Sequence, residues 1–171
     1  MSRVDVEAVQ RACLDALEQG VVFTTLDGEI LVYNDAAEEL TGYTAEELTQ
    51  LFRTGQWVSY RPDGSVMPPE DRPLRRTRET GEPVRGALVG WVSKGGNHLL
   101  LRLTTEPVRD EEGRLVGIVA AFLDVTAEHA AQQALDATNA RYAALVERST
   151  DIICVVDRNG NLTYASPAGE A

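Results

Sequence analysis

Between Val84 and Val125 the sequence holds three long runs of strand-forming residues separated by only two tight turns, Lys94-Gly95-Gly96-Asn97 and Asp110-Glu111-Glu112-Gly113. Turns this short force neighbouring strands to pair antiparallel, because a parallel return needs a crossover of about a dozen residues or more. The middle run, Leu99 to Val108, sorts its side chains cleanly. Leu99, Leu101, Leu103 and Thr105 share one face, and His98, Leu100, Arg102, Thr104 and Glu106 share the other. The last run, Leu115 to Val125, is apolar on both faces: Val116, Ile118, Ala120 and Phe122 on one, Leu115, Val119, Ala121, Leu123 and Val125 on the other. A strand of this kind expects cover on both sides.

The first half of the chain supplies two more strands and the helices to lie against them. Val21 to Thr25 and Ile30 to Tyr33 flank Leu26-Asp27-Gly28-Glu29, an Asp-Gly hairpin signal. Asn34 or Asp35 caps a short helix through Leu40, and Thr44-Ala45-Glu46-Glu47 is a capping box that opens another. From Gln50 to Arg72 the chain reads as irregular, with Pro62, Asp63, Gly64, Pro68 and Pro69; Pro73 then opens a helix that closes at Gly81. Ahead of the hairpin, Val9, Cys13, Ala16 and Leu17 recur at helical spacing before a stop at Gly20. Beyond Thr126 an Ala-, Glu- and Gln-rich segment carries a seam of Ala131, Leu135, Thr138, Tyr142 and Leu145. That seam is shorter than the roughly three to four heptads of a self-sufficient coiled coil. It is expected to lean on the leading helix, the sheet's outer face or a second copy of the chain, which predicts a parallel homodimer.

Charge and composition narrow the function. A net charge of −11 and a pI near 4.6 argue against nucleic-acid binding, which needs a basic footprint. No apolar run approaches the roughly 18 residues of a membrane span, and the start lacks a basic region followed by an apolar stretch, so a cytoplasmic location is expected. Cys13 and Cys154 lie far apart with no ligand-spaced partner, so both are read as small buried apolar residues rather than as disulfide or zinc ligands. The dense basic cluster Arg72, Arg75, Arg76 and Arg78 reads first as the solvated face of a short helix, and second as an anion contact at a pocket. The acid pairs Glu38-Glu39, Glu46-Glu47 and Glu111-Glu112 fall on helix starts or a turn, and no serine has a partner histidine in its sequence context. No catalytic residue is assigned, and the chain is expected to be regulatory rather than an enzyme.

The chain also repeats itself. Gly160 aligns with Gly28, Leu162 with Ile30, Ala168 with Ala36 and Glu170 with Glu38 without a gap, and Ile152 to Val156 falls on Gly20 to Thr24. Similarity at about a domain's length indicates tandem modules, since solenoid periods are about 20 to 50 residues.

The stretch Leu17 to Thr126 resembles a PAS domain: strands around Asp27-Gly28, Asn34 followed by Ala36-Ala37-Glu38, then Thr41-Gly42-Tyr43, three further strands and a closing Asp124-Val125-Thr126. The middle, from Asp63-Gly64 and Pro68 through Pro73-Leu74 to Gly81-Glu82-Pro83-Val84 and Gly86, is similar to PAS domains found upstream of bacterial histidine kinases and diguanylate cyclases. The resemblance implies an α+β fold, a five-stranded antiparallel sheet with short helices on one face, flanked by an N-terminal helix and a C-terminal connector helix. It divides the chain into an amphipathic helix over 1–18, the PAS domain over 19–126, a connector over 127–148 and the start of a second, truncated domain over 149–171. It implies a sensor of a small ligand or of cellular state that relays to a C-terminal output domain, or alternatively a ligand-free dimerisation spacer.

Trp57, Leu74, Leu88, Leu101, Leu103 and Phe122 are the expected pocket residues; Asp124 and Thr126 are the expected relay, with Thr126 capping the connector and Asp124 pairing with a basic group. Ala131, Leu135, Tyr142 and Leu145 form the expected seam. Trp57 and Trp91 read first as core aromatics and second as cavity walls. Neither His98 nor His129 lies between Pro73 and Glu79, where haem-binding relatives place their axial ligand, so haem is not expected. Gln50 to Tyr60 has no cysteine, which excludes cysteinyl-flavin photochemistry but leaves non-covalent flavin open.

Overall fold

The structure is a computed structural model that describes residues 6–147 and 154–165. The chain divides into two compact units, residues 1–126 and 127–171.

In the first unit a helix, α1 (Val6–Asp15), leads into the strands β1 (Gly20–Thr25) and β2 (Ile30–Tyr33). The helices α2 (Asp35–Thr41) and α3 (Ala45–Thr54), a 3-10 turn (Pro69–Asp71) and the helix α4 (Pro73–Thr80) follow, and then the strands β3 (Val84–Val92), β4 (His98–Arg109) and β5 (Leu115–Asp124). The five strands form one antiparallel sheet in the order β2-β1-β5-β4-β3. Strand β1 pairs with both β2 and β5, from Gly20↔Phe122 to Thr25↔Gly117, which joins the first hairpin to the last three strands. The core fills the face between sheet and helices: Val22, Ala37, Leu48, Trp91, Leu101 and Phe122 are all buried there.

Side-chain hydrogen bonds fix where each helix starts. Asn34, 2 % exposed, caps α2. Its Oδ1 accepts from the N–H groups of Ala37 (3.1 Å) and Val21 (2.8 Å), and its Nδ2 donates to the carbonyls of Leu14 and Gln19, each at 2.9 Å. One amide thus uses all its bonding capacity to tie the end of α1, the start of β1 and the start of α2 together. The capping box of α3 is formed: Glu47 N–H donates to Thr44 Oγ1 (3.3 Å) and Thr44 N–H donates to Glu47 Oε2 (3.1 Å). Helix α4 starts at Pro73 and is pinned to β4 by a 2.7 Å hydrogen bond between the hydroxyls of Thr77 and Thr105, both fully buried.

Three sequence expectations are corrected in this unit. Residues Gln50 to Thr54, expected to be irregular, continue α3, because Leu51 and Phe52 extend its core-facing side and Gly55 supplies the left-handed cap at φ 65°. Cys13 is exposed rather than buried: α1 has no buried residue, and Val6 and Val9 stand 65 % and 47 % exposed. On β5 the inner residues Ile118, Ala120 and Phe122 are buried but Val116 is exposed; of the outer set, Val125 just past the strand is buried, while Leu115, Val119, Ala121 and Leu123 are only half-buried.

The second unit contains α5 (Thr126–Glu147) from Ala127 onward and a hairpin of β6 (Cys154–Val156) and β7 (Leu162–Ala165). Ala131, Leu135, Tyr142 and Leu145 are all exposed, and Cys154, expected to be buried, is exposed too. The hairpin register Cys154↔Ala165, Val155↔Tyr164, Val156↔Leu162 has its irregularity after Val155. It matches Val22↔Tyr33, Phe23↔Val32, Thr24↔Ile30, irregular after Phe23, position for position along the internal repeat. Gly28 and Gly160 turn the two hairpins at φ 82° and 83°, a left-handed conformation that glycine adopts without steric cost. The expected second domain also takes in residues that lie outside those described.

Candidate ligand cavity

A cavity of about 60 Å³ lies between the inner face of the sheet and helices α3 and α4. From the sheet come Val22, Val89, Trp91, Leu101, Leu103, Ala120 and Phe122; from the helical side come Thr41, Leu48, Phe52, Trp57, Ser59, Pro73 and Leu74. This exceeds the roughly 10–15 Å³ that a single water occupies and falls far below the roughly 300 Å³ of a drug-sized pocket. As it stands, the space suits a molecule of a few heavy atoms.

Aromatic packing shapes one wall. Trp57 and Trp91 stack tilted at 5.8 Å, Phe52 lies 5.1 Å from Trp57, and Tyr43 meets Trp91 edge-on at 6.5 Å. The Arg72 guanidinium covers Trp57 from outside at 4.4 Å, within cation–π range. Ser59 is held by the strand-like segment that runs beside β3, where Tyr60 exchanges backbone hydrogen bonds with Gly90 at 2.9 and 2.7 Å. A Cβ at position 90 would stand 2.8 Å from that of Tyr60, so this close approach requires a glycine.

The polar atoms borne by the lining residues and their neighbours fall into two groups, and none of them adds polar surface to the cavity. The hydroxyl of Thr41 is satisfied, donating to the Ala37 carbonyl (2.8 Å) and meeting Tyr33 Oη at 2.6 Å. Burial pushes the Tyr33 phenol above its ordinary pKa, against the opposing effect of the Thr41 hydrogen bond. Ser59 Oγ and Trp91 Nε1 are different: both are buried and neither has a hydrogen-bond partner. Trp91 Nε1 can only donate, whereas Ser59 Oγ can donate or accept. No charged side chain lines the cavity.

Of the residues singled out from sequence, Trp57, Leu74, Leu101, Leu103 and Phe122 line this cavity. Leu88 does not. It pairs with Arg102 and points to the outer face, while Val89 and Trp91, opposite Leu101 and Leu99, point inward. The irregularity between Val84 and Ala87 shifts the phase of β3, so alternation counted from its start picks the wrong neighbour. Sequence reasoning also missed Val22, Leu48, Phe52, Ser59 and Val89. The apolar spacing of Leu48 and Phe52 was a usable signal for the helical pair; nothing in the sequence marks Ser59.

The junction with α5 differs from expectation in its wiring. Thr126 does not cap the helix with its side chain: its Oγ1 accepts from Leu100 N–H (2.8 Å) and donates to Asp124. The Asp124 carboxylate accepts the N–H of Thr126 (2.8 Å), so Asp124 holds the first residue of α5. Among the described residues its hydrogen-bond partner is the start of the helix. His98 is exposed at the start of β4 and His129 hydrogen-bonds Gln133 on α5 at 3.1 Å. Among the described residues no group of three or more His, Cys, Asp or Glu converges in a metal-binding arrangement, and no helix is long and apolar enough to cross a membrane.

A five-stranded antiparallel sheet with short helices on one face, enclosing an apolar cavity, is an α+β architecture. The sequence model of the PAS fold matches residues 10–125, and the chain belongs to the PAS family. Domains of this family are generally sensory and signalling modules, regulatory rather than catalytic. Solved structures of the same fold include a PAS domain from Colwellia psychrerythraea, 20 % identical, with a TM-score of 0.53 over 71 % of this chain and 98 % of that one. The PAS domain of nitrogen regulation protein NR(II) from Vibrio parahaemolyticus is 18 % identical, with a TM-score of 0.50 over 68 % and 97 %. An RNA-binding Light-Oxygen-Voltage receptor, 21 % identical, has a TM-score of 0.62 over 81 % of this chain but 38 % of its own. None of the curated proteins matches the sequence.

Proposed function

We propose that this chain is the sensory part of a cytoplasmic bacterial signalling protein, in which residues 19–126 bind a small neutral molecule and residues 127–148 relay its presence. The relay runs to an output domain of the diguanylate cyclase or histidine kinase kind, past a second PAS domain that begins near residue 149. The observation that carries this reading is the apolar cavity itself, set between sheet and helices, walled by Trp57 and Trp91 and lined by no charged side chain. Strand β5 links cavity to relay, since Phe122 lines the cavity and Asp124, two residues on, holds the start of α5.

The small cavity volume and the close aromatic packing favour a second reading, a ligand-free spacer that sets the geometry of a dimer. Native mass spectrometry with an absorbance spectrum separates the two: a retained small molecule supports the sensor, and a bare protein supports the spacer. Either role fits a homodimer built on the exposed apolar residues of α1, the half-buried outer face of β5 and the seam residues of α5. Sedimentation that gives only a monomer at high micromolar concentration contradicts that dimer.

A further inference from the structure

Outside the cavity, on the other side of Trp57, lies a groove of about 460 Å³ with a character unlike the rest of this acidic molecule. Arg72, Arg75 and Arg78 follow one another at three-residue intervals from the cap of α4 into its last turn, which places them along one side of the helix. Arg53, in the last turn of α3, faces them across the groove beside the Asp27-Gly28 turn. Four guanidinium groups therefore line one depression, and Asp27 is the only carboxylate among its lining residues.

Their charges are poorly compensated. Arg75 Nε donates to Glu79 at 2.6 Å, but among the described residues Arg53, Arg72 and Arg78 have no ion pair. Arg72 is the most telling. Its guanidinium lies on Trp57, its Nε is buried, and that nitrogen has no hydrogen-bond partner. Burial, with the neighbouring Arg75, lowers its pKa, and Glu70 offsets this only in part. A partly buried cation beside two further arginines without an ion pair leaves positive charge along the groove that an anion would offset.

We infer that this groove binds a small oxyanion, the carboxylate or phosphate group of a small molecule. Arginine forks match both headgroups with paired N–H donors, and a carboxylate or a phosphate can bridge two guanidinium groups that lysine would meet only as point charges. Phe52, Trp57 and Leu74 border both the groove and the cavity, and anion binding at the arginines does not require the cavity to be occupied.

The test is calorimetric titration of the whole chain with inorganic phosphate and, separately, with succinate, at constant ionic strength held with chloride. The expected result is saturable binding of at least one anion, with a Kd of about 1 mM or tighter. Binding should weaken by about tenfold or more in the double variant Arg75→Gln/Arg78→Gln, and the same loss should follow Arg72→Gln. Arg114→Gln, on an exposed arginine outside the groove that pairs with Asp110, should leave the affinity unchanged. Stronger binding of phosphate or of succinate identifies the headgroup. The inference is overturned if neither anion saturates, if the groove variants bind as well as the wild type while melting at the same temperature, or if Arg114→Gln weakens binding equally.

Discussion

The buried hydrogen bond between Thr77 and Thr105 makes a prediction whose sign, not only its size, depends on the structure. Each hydroxyl is fully buried, and each has the other as its partner at 2.7 Å. Replacing Thr77 by the near-isosteric valine strips the bond from Thr105 and leaves its hydroxyl unsatisfied in an apolar layer, at a cost of about 1–3 kcal/mol. Thr105→Val does the same to Thr77. The double variant removes both polar groups and puts two methyl groups in their place, so it should lie near the wild type instead of losing the sum. With the double variant near the wild type, the coupling free energy between the two sites should approach the sum of the two single losses, about 2–6 kcal/mol. For a domain of this size about 1 kcal/mol corresponds to a shift of about 4–8 °C in melting temperature, so each single variant is readily distinguished. Urea unfolding of the four proteins closes the cycle. Losses that simply add in the double variant would refute the claim that this bond is what fixes α4 on the sheet.

Three further outcomes follow from the same bonds. Asn34→Ala breaks four hydrogen bonds at the meeting point of α1, β1 and α2 and should cost about 3 kcal/mol, while Asn34→Asp, which turns two donors into acceptors facing the carbonyls of Leu14 and Gln19, should cost at least as much; both are read from urea midpoints. The Tyr33 phenol has its pKa raised above 10.0 by burial, so its contribution to stability is fully present below about pH 10 and is lost as pH climbs through the higher folded value; Tyr33→Phe should flatten that alkaline decline in thermal melts. Asp124→Ala should cost about 1 kcal/mol and leave the domain folded, while amide exchange at Thr126 speeds up; unaltered exchange at Thr126 would contradict the hydrogen bond from that N–H to the Asp124 carboxylate.

The elements that the sequence made legible are those with local causes. Asp27-Gly28, the capping box at Thr44 and Glu47, Pro73 at the start of α4 and the two turns of the last three strands each act within a few residues, and each appears where expected. The misplacements have non-local or phase-dependent causes. Leu88 reads as a pocket residue, yet the register of β3, irregular between Val84 and Ala87, sets it opposite Arg102 and away from the cavity. Thr126 reads as a cap because Thr before a helix usually is one, yet its hydroxyl is engaged by Leu100, far away in sequence. Cys13 has the apolar spacing of a core residue, but helical periodicity says only that a face is apolar, not that something covers it. Ser59 is the clearest gap: it reaches the cavity wall next to a backbone bridge between Tyr60 and Gly90 that no short motif announces.

The central claim, that the cavity beneath Trp91 holds a small ligand, is tested most directly by weighing the intact protein under native conditions beside a variant whose cavity is filled from β5, Ala120→Leu. Ala120 is 2 % exposed and lines the cavity, so the added isobutyl group should occupy that space, and circular dichroism establishes that the variant still folds. The account predicts an excess mass on the native wild type that disappears on denaturation and is absent from Ala120→Leu. A wild type with the same native and denatured mass, or an excess mass retained equally by the filled variant, would contradict it.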